Sequence, residues 1–264
     1  MQISILGCGW LGLPLAKAFI TQGVSVKGSI TSPEKLSTLK QVGIEPYLIN
    51  LSPEAPANLN DFLSGSGVLI ISIPPKLRSG HGESYTDKIE GIIPQIEKSS
   101  IGKVLFVSST SVYADDNTVV TEDTLPNPET ESGRQILEAE QILSGNTGFK
   151  TTVLRFAGLI GPDRHPIKQL AGKQNLANPL APVNLIHQDD CIGIILKIIE
   201  KNIWGENFNA AYPLHPVREL YYTQKAVEFG LPAPTFNSEN ASVGKTILSD
   251  KLIKALNYKF STGI

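Results

Sequence analysis

The apolar positions fall into short continuous runs, separated by longer stretches in which apolar residues return every three or four positions. Runs at 2–6, 24–30, 45–49, 67–73, 104–107 and 150–156 read as strands. The run GVLIISI at 67–73 is apolar almost throughout, the pattern of a strand covered on both faces. The stretches 13–20, 85–96 and 132–143 have helical spacing, and a further helix is expected to begin at Ser32-Pro33-Glu34, with serine as the cap and proline in the first turn. Strands and helices alternating in this way predict βαβ units and an α/β fold, a Rossmann-type doubly wound parallel sheet. Pro74-Pro75 stops the fourth run, and 118–131, with Pro126 and Pro128, reads as loop. Beyond Phe156 the alternation loosens into helices at 167–171, 191–201, 217–229 and 249–256, with a short strand at 183–186. The expected division is a nucleotide-binding domain over 1–160 and a small α-rich C-terminal region over 161–264. That region is too small for a large core of its own and is expected to pack intimately on the first and close a cleft.

Composition narrows the function class. A length of 264 residues suits one domain, or one domain with an appendix. A net charge of -2 with 18% charged residues does not suggest a nucleic-acid or membrane surface. No apolar run approaches the ~20 residues of a membrane span. Cys8 and Cys191 lie far apart and neither belongs to a C-x-x-C pair, so no disulfide and no metal site are expected. Met1 leads into a strand without a basic leader, which with the free cysteines points to the cytoplasm.

The candidate chemistry starts at the first turn, Gly7-Cys8-Gly9-Trp10-Leu11-Gly12, between a strand and a helix. Gly7 permits the tight turn, Gly9 lets the backbone approach a pyrophosphate, and Gly12 lets helix and strand pack closely. The helix start offers unpaired N–H groups to the phosphates. In this context the turn reads as a dinucleotide site, with Trp10 and Leu11 inside it. The end of the second strand, Lys27 to Ser32, carries no carboxylate to bind a ribose 2′-hydroxyl. Ser29, Thr31 and Ser32, with Lys35, are suited to a 2′-phosphate, so NADP is expected in preference to NAD. Ile73, Pro74 and Pro75 should lie beside the cofactor. Cys8 should pack inward.

Four motifs then fall in one order: the glycine turn, Ser108-Ser109-Thr110-Ser111-Val112-Tyr113, Leu154-Arg155-Phe156 with Ile160-Gly161-Pro162, and Asn184-Leu185-Ile186-His187-Gln188-Asp189-Asp190. Together they resemble the extended short-chain dehydrogenase/reductases, the group of NAD(P)-dependent sugar-nucleotide epimerases and dehydratases, over about residues 1–195. The resemblance implies a small-molecule substrate, nucleotide-linked in that group. It places Asn50 near adenine, Ser108 at the cofactor, and Ser109 as the catalytic hydroxyl. It makes 185–190 structural, with Asp189 or Asp190 capping the next helix, and Arg155 an anchor. The departures are as informative. Where the group has Tyr-x-x-x-Lys, this chain has Ser132 and Ile136, flanked by the expected Gly133 and Glu140. A serine hydroxyl is far less acidic than a phenol, and isoleucine lowers no pKa. Ser109, Tyr113, His81 in the glycine-rich lid 78–82, or a bound water would then carry the proton. Arg164 and His165 would face a phosphorylated substrate. A homodimer would use the helix 132–143 through Ile136, Leu137 and Leu143. The expected function is an atypical NAD(P)-dependent oxidoreductase or epimerase, with a non-catalytic NADP(H) sensor and a non-redox lyase as the open alternatives.

Overall fold

A computed structural model describes residues 1–52, 54–75 and 84–264. The first half of the chain alternates as its pattern requires: β1 (Gln2–Leu6), α1 (Gly12–Thr21), β2 (Ser25–Ile30), α2 (Leu36–Gln41), β3 (Glu45–Leu48), α3 (Leu59–Leu63), β4 (Val68–Ile71), α4 (Tyr85–Lys98) and β5 (Lys103–Ser109). After a short strand β6 (Val119–Val120) come α5 (Glu131–Gly145) and β7 (Lys150–Phe156). The remainder contains β8 (Gly158–Ile160), α6 (Ile167–Leu170), β9 (Leu185–His187), α7 (Gln188–Glu200), β10 (Asn207–Ala210), α8 (Arg218–Glu228), β11 (Thr246–Ile247) and α9 (Asp250–Leu256).

Seven strands form one sheet in the order β10-β7-β5-β4-β1-β2-β3, parallel at every pairing. Helices cover both faces, so all four residues of β4 are buried. The chain winds from β1 through β2 to β3, then crosses to β4 on the other side of β1. Ligands of such sheets sit at that switch, beyond the carboxyl ends of the strands. The main core runs from Ile3 to Leu256 and includes Ile194, Ile195 and Ile198 of α7, Phe208 of β10 and Leu252 of α9. Residues 161–264 therefore share the central core. A smaller cluster, centred on Ile167, Leu185, Tyr221 and Ala226, lies beneath α6 and α8. Among the described residues no helix is long and apolar enough to cross a membrane.

Several local expectations are corrected. Ser32 makes no side-chain cap; a 3₁₀ turn at Pro33–Lys35 leads into α2 instead. His187, not an aspartate, caps α7, its Nδ1 accepting from the Asp189 N–H at 3.2 Å. Asp190, fully buried, accepts from Tyr258 Oη at 2.9 Å and from the Ser261 and Thr262 N–H groups at 2.8 and 3.1 Å, tying down the C-terminal segment. Strand β10 was not expected, because Asn-Phe-Asn-Ala carries only two apolar side chains. The loop 118–131 contains β6, which pairs with β11.

Beneath the carboxyl ends of the sheet lies a buried ionic network. Glu140 of α5 pairs with Arg155 of β7, Arg155 Nη2 reaching Glu140 Oε2 at 2.6 Å, both side chains about 5% exposed or less. Ser108 donates to the same carboxylate, and Arg155 Nη1 donates to Tyr113 Oη. Removing one member strands a charge in the core. Glu140→Ala should therefore cost about 3–5 kcal/mol in urea unfolding, and Glu140→Leu with Arg155→Met together should cost less than Glu140→Ala alone.

Candidate functional site

The glycine turn follows β1 directly at the switch between β1 and β4. Gly7 has φ +102°, and a Cβ on it would lie 2.6 Å from the Ser72 carbonyl oxygen and 2.7 Å from Ile73. A Cβ on Gly12 would meet the Gly7 carbonyl oxygen at 2.1 Å. A Cβ on Gly9 would meet nothing within 4 Å. Two glycines are thus demanded by the protein itself, and the middle one faces open space at the mouth of the turn. That is the arrangement a pyrophosphate needs, with the Leu11 and Gly12 N–H groups at the start of α1 to meet it, the Leu13 N–H being taken by the Gly9 carbonyl at 3.1 Å and Pro14 having none.

The flanks of the turn are less uniform. Ile73 packs against Gly7, followed by Pro74 and Pro75 at the end of the described segment. Ser29 is 2% exposed, and its hydroxyl accepts from the Gly7 N–H at 2.9 Å, so it supports the turn and is not presented to a ligand. Lys27 is committed to the carbonyls of Asp61 and Ser64 at 2.6 and 2.8 Å. Thr31 and Lys35 are exposed and Ser32 half-buried beyond the end of β2, and Asn50 is exposed beyond β3. Cys8 is buried, which pushes its thiol up to about 12 and keeps it protonated.

At the end of β5, Ser109 is half-buried and its Oγ accepts from the Ser111 N–H at 3.1 Å, leaving the hydroxyl hydrogen free to donate elsewhere. Its neighbour Ser108 is buried against Glu140, its hydroxyl spent there. Tyr113 is 2% exposed, with Asn209 Oδ1 at 3.0 Å from its hydroxyl and Arg155 over its ring at 5.0 Å. Burial raises the phenol, with Arg155 opposing. The phenol is thus held in the interior by Asn209 and Arg155. The start of α5 is pressed against the 3₁₀ turn that follows β5: a Cβ on Gly133 would lie 2.5 Å from the Ser111 carbonyl oxygen. Ser132 is half-buried there, and Ile136 is in the core at 7% exposure. α5 contains neither tyrosine nor lysine. Ile136 and Leu143 belong to the chain's own core, while Leu137 and Ile142 are half-buried on α5. His81 and the loop 78–82 lie outside the described residues.

The loop after β8 closes over the turn. Trp10 Nε1 donates to Asp163 Oδ1 at 2.9 Å, and Gln188 Nε2 donates to the Trp10 carbonyl at 2.7 Å. Neither Asp163 nor Gln188 carries a local sequence signal for this, because the partners lie 153 and 178 positions apart. Arg164 is exposed and stacks on the Trp10 ring at 5.0 Å. His165 is buried. Its Nδ1 accepts from the Ile167 N–H at 3.1 Å, so the proton sits on Nε2, which donates to Tyr221 Oη at 3.0 Å. Burial lowers it to about 4. A cavity of about 290 Å³ lies beside this loop, with Gly161, His165, His187, Lys225 and Phe229 in its wall. A larger one of about 360 Å³ opens at the opposite end of the sheet, by Lys150 and Asn207, away from the strand ends that carry the turn. Among the described residues no cluster of His, Cys, Asp and Glu is arranged to hold a metal ion.

Protein YeeZ of Escherichia coli is 35% identical over 263 residues, covering 98% of this chain and 95% of that protein. No family model matches the sequence. The fold is shared with UDP-glucuronic acid 4-epimerase from Bacillus cereus, solved with UDP-glucuronic acid and NAD, at TM-score 0.82 and 20% identity over 100% of this chain and 95% of that one. It is shared equally with a short-chain dehydrogenase/reductase superfamily protein from Agrobacterium tumefaciens with bound NAD, at TM-score 0.81 and 18% identity, covering 100% and 93%. The resemblance read from the ordered motifs thus extends to the whole fold.

Two measurements follow from the geometry. Gly12→Ala should destabilise the fold by about 1–3 kcal/mol, because backbone must move, whereas Gly9→Ala should stay within about 0.5 kcal/mol by thermal or urea unfolding. His165 is held below its unfolded value of 6.5, so the unfolded chain binds the proton first as pH falls. Stability should decline from about pH 6.5 to about pH 4 by up to about 3 kcal/mol and then level, and His165→Gln should flatten that window.

Proposed function

The chain belongs to the family of the Escherichia coli protein YeeZ, and from that premise we propose that it is an NAD(P)-binding protein of the epimerase/dehydratase kind, acting in the cytoplasm on a small nucleotide-linked substrate. The observation that carries this reading is the open direction at Gly9, set between the positive φ of Gly7 and the close contact of Gly12, at the switch of the sheet. The cofactor is NADP in preference to NAD. The support is the absence of a carboxylate from Ser25 to Ser32, with Thr31, Ser32 and Lys35 beyond the end of β2. Gly7, Gly9, Trp10, Leu11 and Gly12 form the pyrophosphate cradle, Ile73 to Pro75 its far wall, and Asn50 its adenine side.

When bound, the nicotinamide supplies or takes up a hydride. Ser109 donates its free hydroxyl hydrogen to the reacting oxygen and orients it. Ser108, Glu140, Arg155 and Tyr113 hold that strand end in place without touching the substrate. With no phenol and no ammonium on α5, the proton exchanges with water, which makes catalysis slower than a tyrosine acid would allow. The same feature favours a second reading, a non-catalytic NADP(H) sensor.

Calorimetric titration with NADPH, NADP, NADH and NAD tests the first claim. NADP should bind about tenfold tighter than NAD, and Gly9→Val should abolish binding in a folded protein. Binding of none of the four would overturn the reading. Nucleotide sugars that change the absorbance of the reduced nicotinamide would establish catalysis, and Ser109→Ala should then lower kcat about a hundredfold. Cofactor binding without any such change would leave the sensor.

A further inference from the structure

Trp10 stands inside the glycine turn, yet its side-chain and carbonyl partners belong to the distant loop 161–164 and to α7. The contact to its carbonyl has a particular consequence. A trans peptide is planar, so the Trp10 C=O and the Leu11 N–H form one rigid unit and point in opposite directions. Whatever holds the carbonyl therefore aims the N–H. Gln188 holds it at 2.7 Å from the first position of α7. A carbonyl only accepts, so it is the Gln188 amide nitrogen that must face it. Leu11 is the N-terminal cap residue of α1, and its N–H is among the donors of the first turn that the helix itself leaves unpaired.

Asp163 fixes the other end of the same residue. Its carboxylate takes the indole N–H at 2.9 Å and is kept below the usual carboxylate range chiefly by that bond. Gly161 must be glycine for the indole to fit, since a Cβ there would stand 2.8 Å from its ring. The turn is thus held from outside, by residues of a distant loop and of α7.

We propose that Gln188 and Asp163 are positioning residues for the dinucleotide: acting through Trp10, they aim the Leu11 N–H at the pyrophosphate. This rests on the dinucleotide reading of the turn. It also makes the effect reciprocal, because a dinucleotide that fixes the turn fixes the loop 161–164 by the same free energy.

The test compares dinucleotides, which carry the pyrophosphate, with adenosine, which does not. The wild type, Gln188→Met, Asp163→Ala and Asp163→Asn are titrated with NAD and NADP by calorimetry and with adenosine by ligand-observed NMR. Gln188→Met keeps the length of the side chain and loses the donor; Asp163→Asn keeps an acceptor. Gln188→Met and Asp163→Ala should weaken dinucleotide binding about tenfold while adenosine stays within about twofold, and Asp163→Asn should recover most of the loss. A Gln188→Met protein that binds the dinucleotides like the wild type overturns the proposal. So does one that loses adenosine and dinucleotide in equal measure, since the effect would then be general to the fold. A wild type that binds adenosine but neither dinucleotide is a failure of the site reading itself, and the proposal falls with it.

Discussion

The ion pair between Arg155 and Glu140 organises the working end of this molecule. It joins a strand to a helix at a point where neither side chain reaches water, so each charge depends on the other and on the groups around both. Ser108 of β5 and Tyr113 complete the shell, and Asn209 brings in β10. Three neighbouring strands and α5 are fixed to one another by this cluster. Ser109 is set by it, being the next residue after Ser108 along β5. The start of α5 is brought so close to the turn after β5 that only glycine fits at 133.

The same cluster decides which side chains are left for chemistry. Tyr113 is the one tyrosine in the motif after β5, and the network consumes its phenol. Ser108 is consumed likewise. What remains at the strand ends is Ser109 and the half-buried Ser132, hydroxyls of similar and feeble acidity. The hydrophobic Ile136, one turn further along α5, belongs to the core. On the proposed reading, a cradle for a dinucleotide is kept without a phenol on α5 beside it.

The cradle is itself not a local structure. Gly7 and Gly12 constrain each other across the turn, and Ser29 supports Gly7 from β2. Trp10 then reaches out to the segment beyond β8, which returns to the central sheet as β10 and to the central core as α7 and α9. The C-terminal hundred residues are consequently part of the machinery that shapes the turn, and the buried Asp190 holds the last segment of the chain against α7.

By itself the sequence determined the alternation of strands and helices through the first 156 residues, because apolar period and breaker residues are local properties that burial on both faces of a sheet makes explicit. It likewise determined that positions 7 and 12 must be glycine, since they answer to contacts within a few residues or within the adjoining strand. Tertiary structure alone decided the direction of the hydroxyls: Ser29 and Ser108 are as polar as Ser109, and only the register of neighbouring strands and the approach of α5 turn them inward. It alone placed β10, whose four residues carry too short a pattern to be read without the edge of β7 to pair with. It alone brought Asp163 and Gln188 to Trp10, because a hydrogen bond between residues more than 150 positions apart leaves no trace in local spacing. It exists only once the sheet has folded.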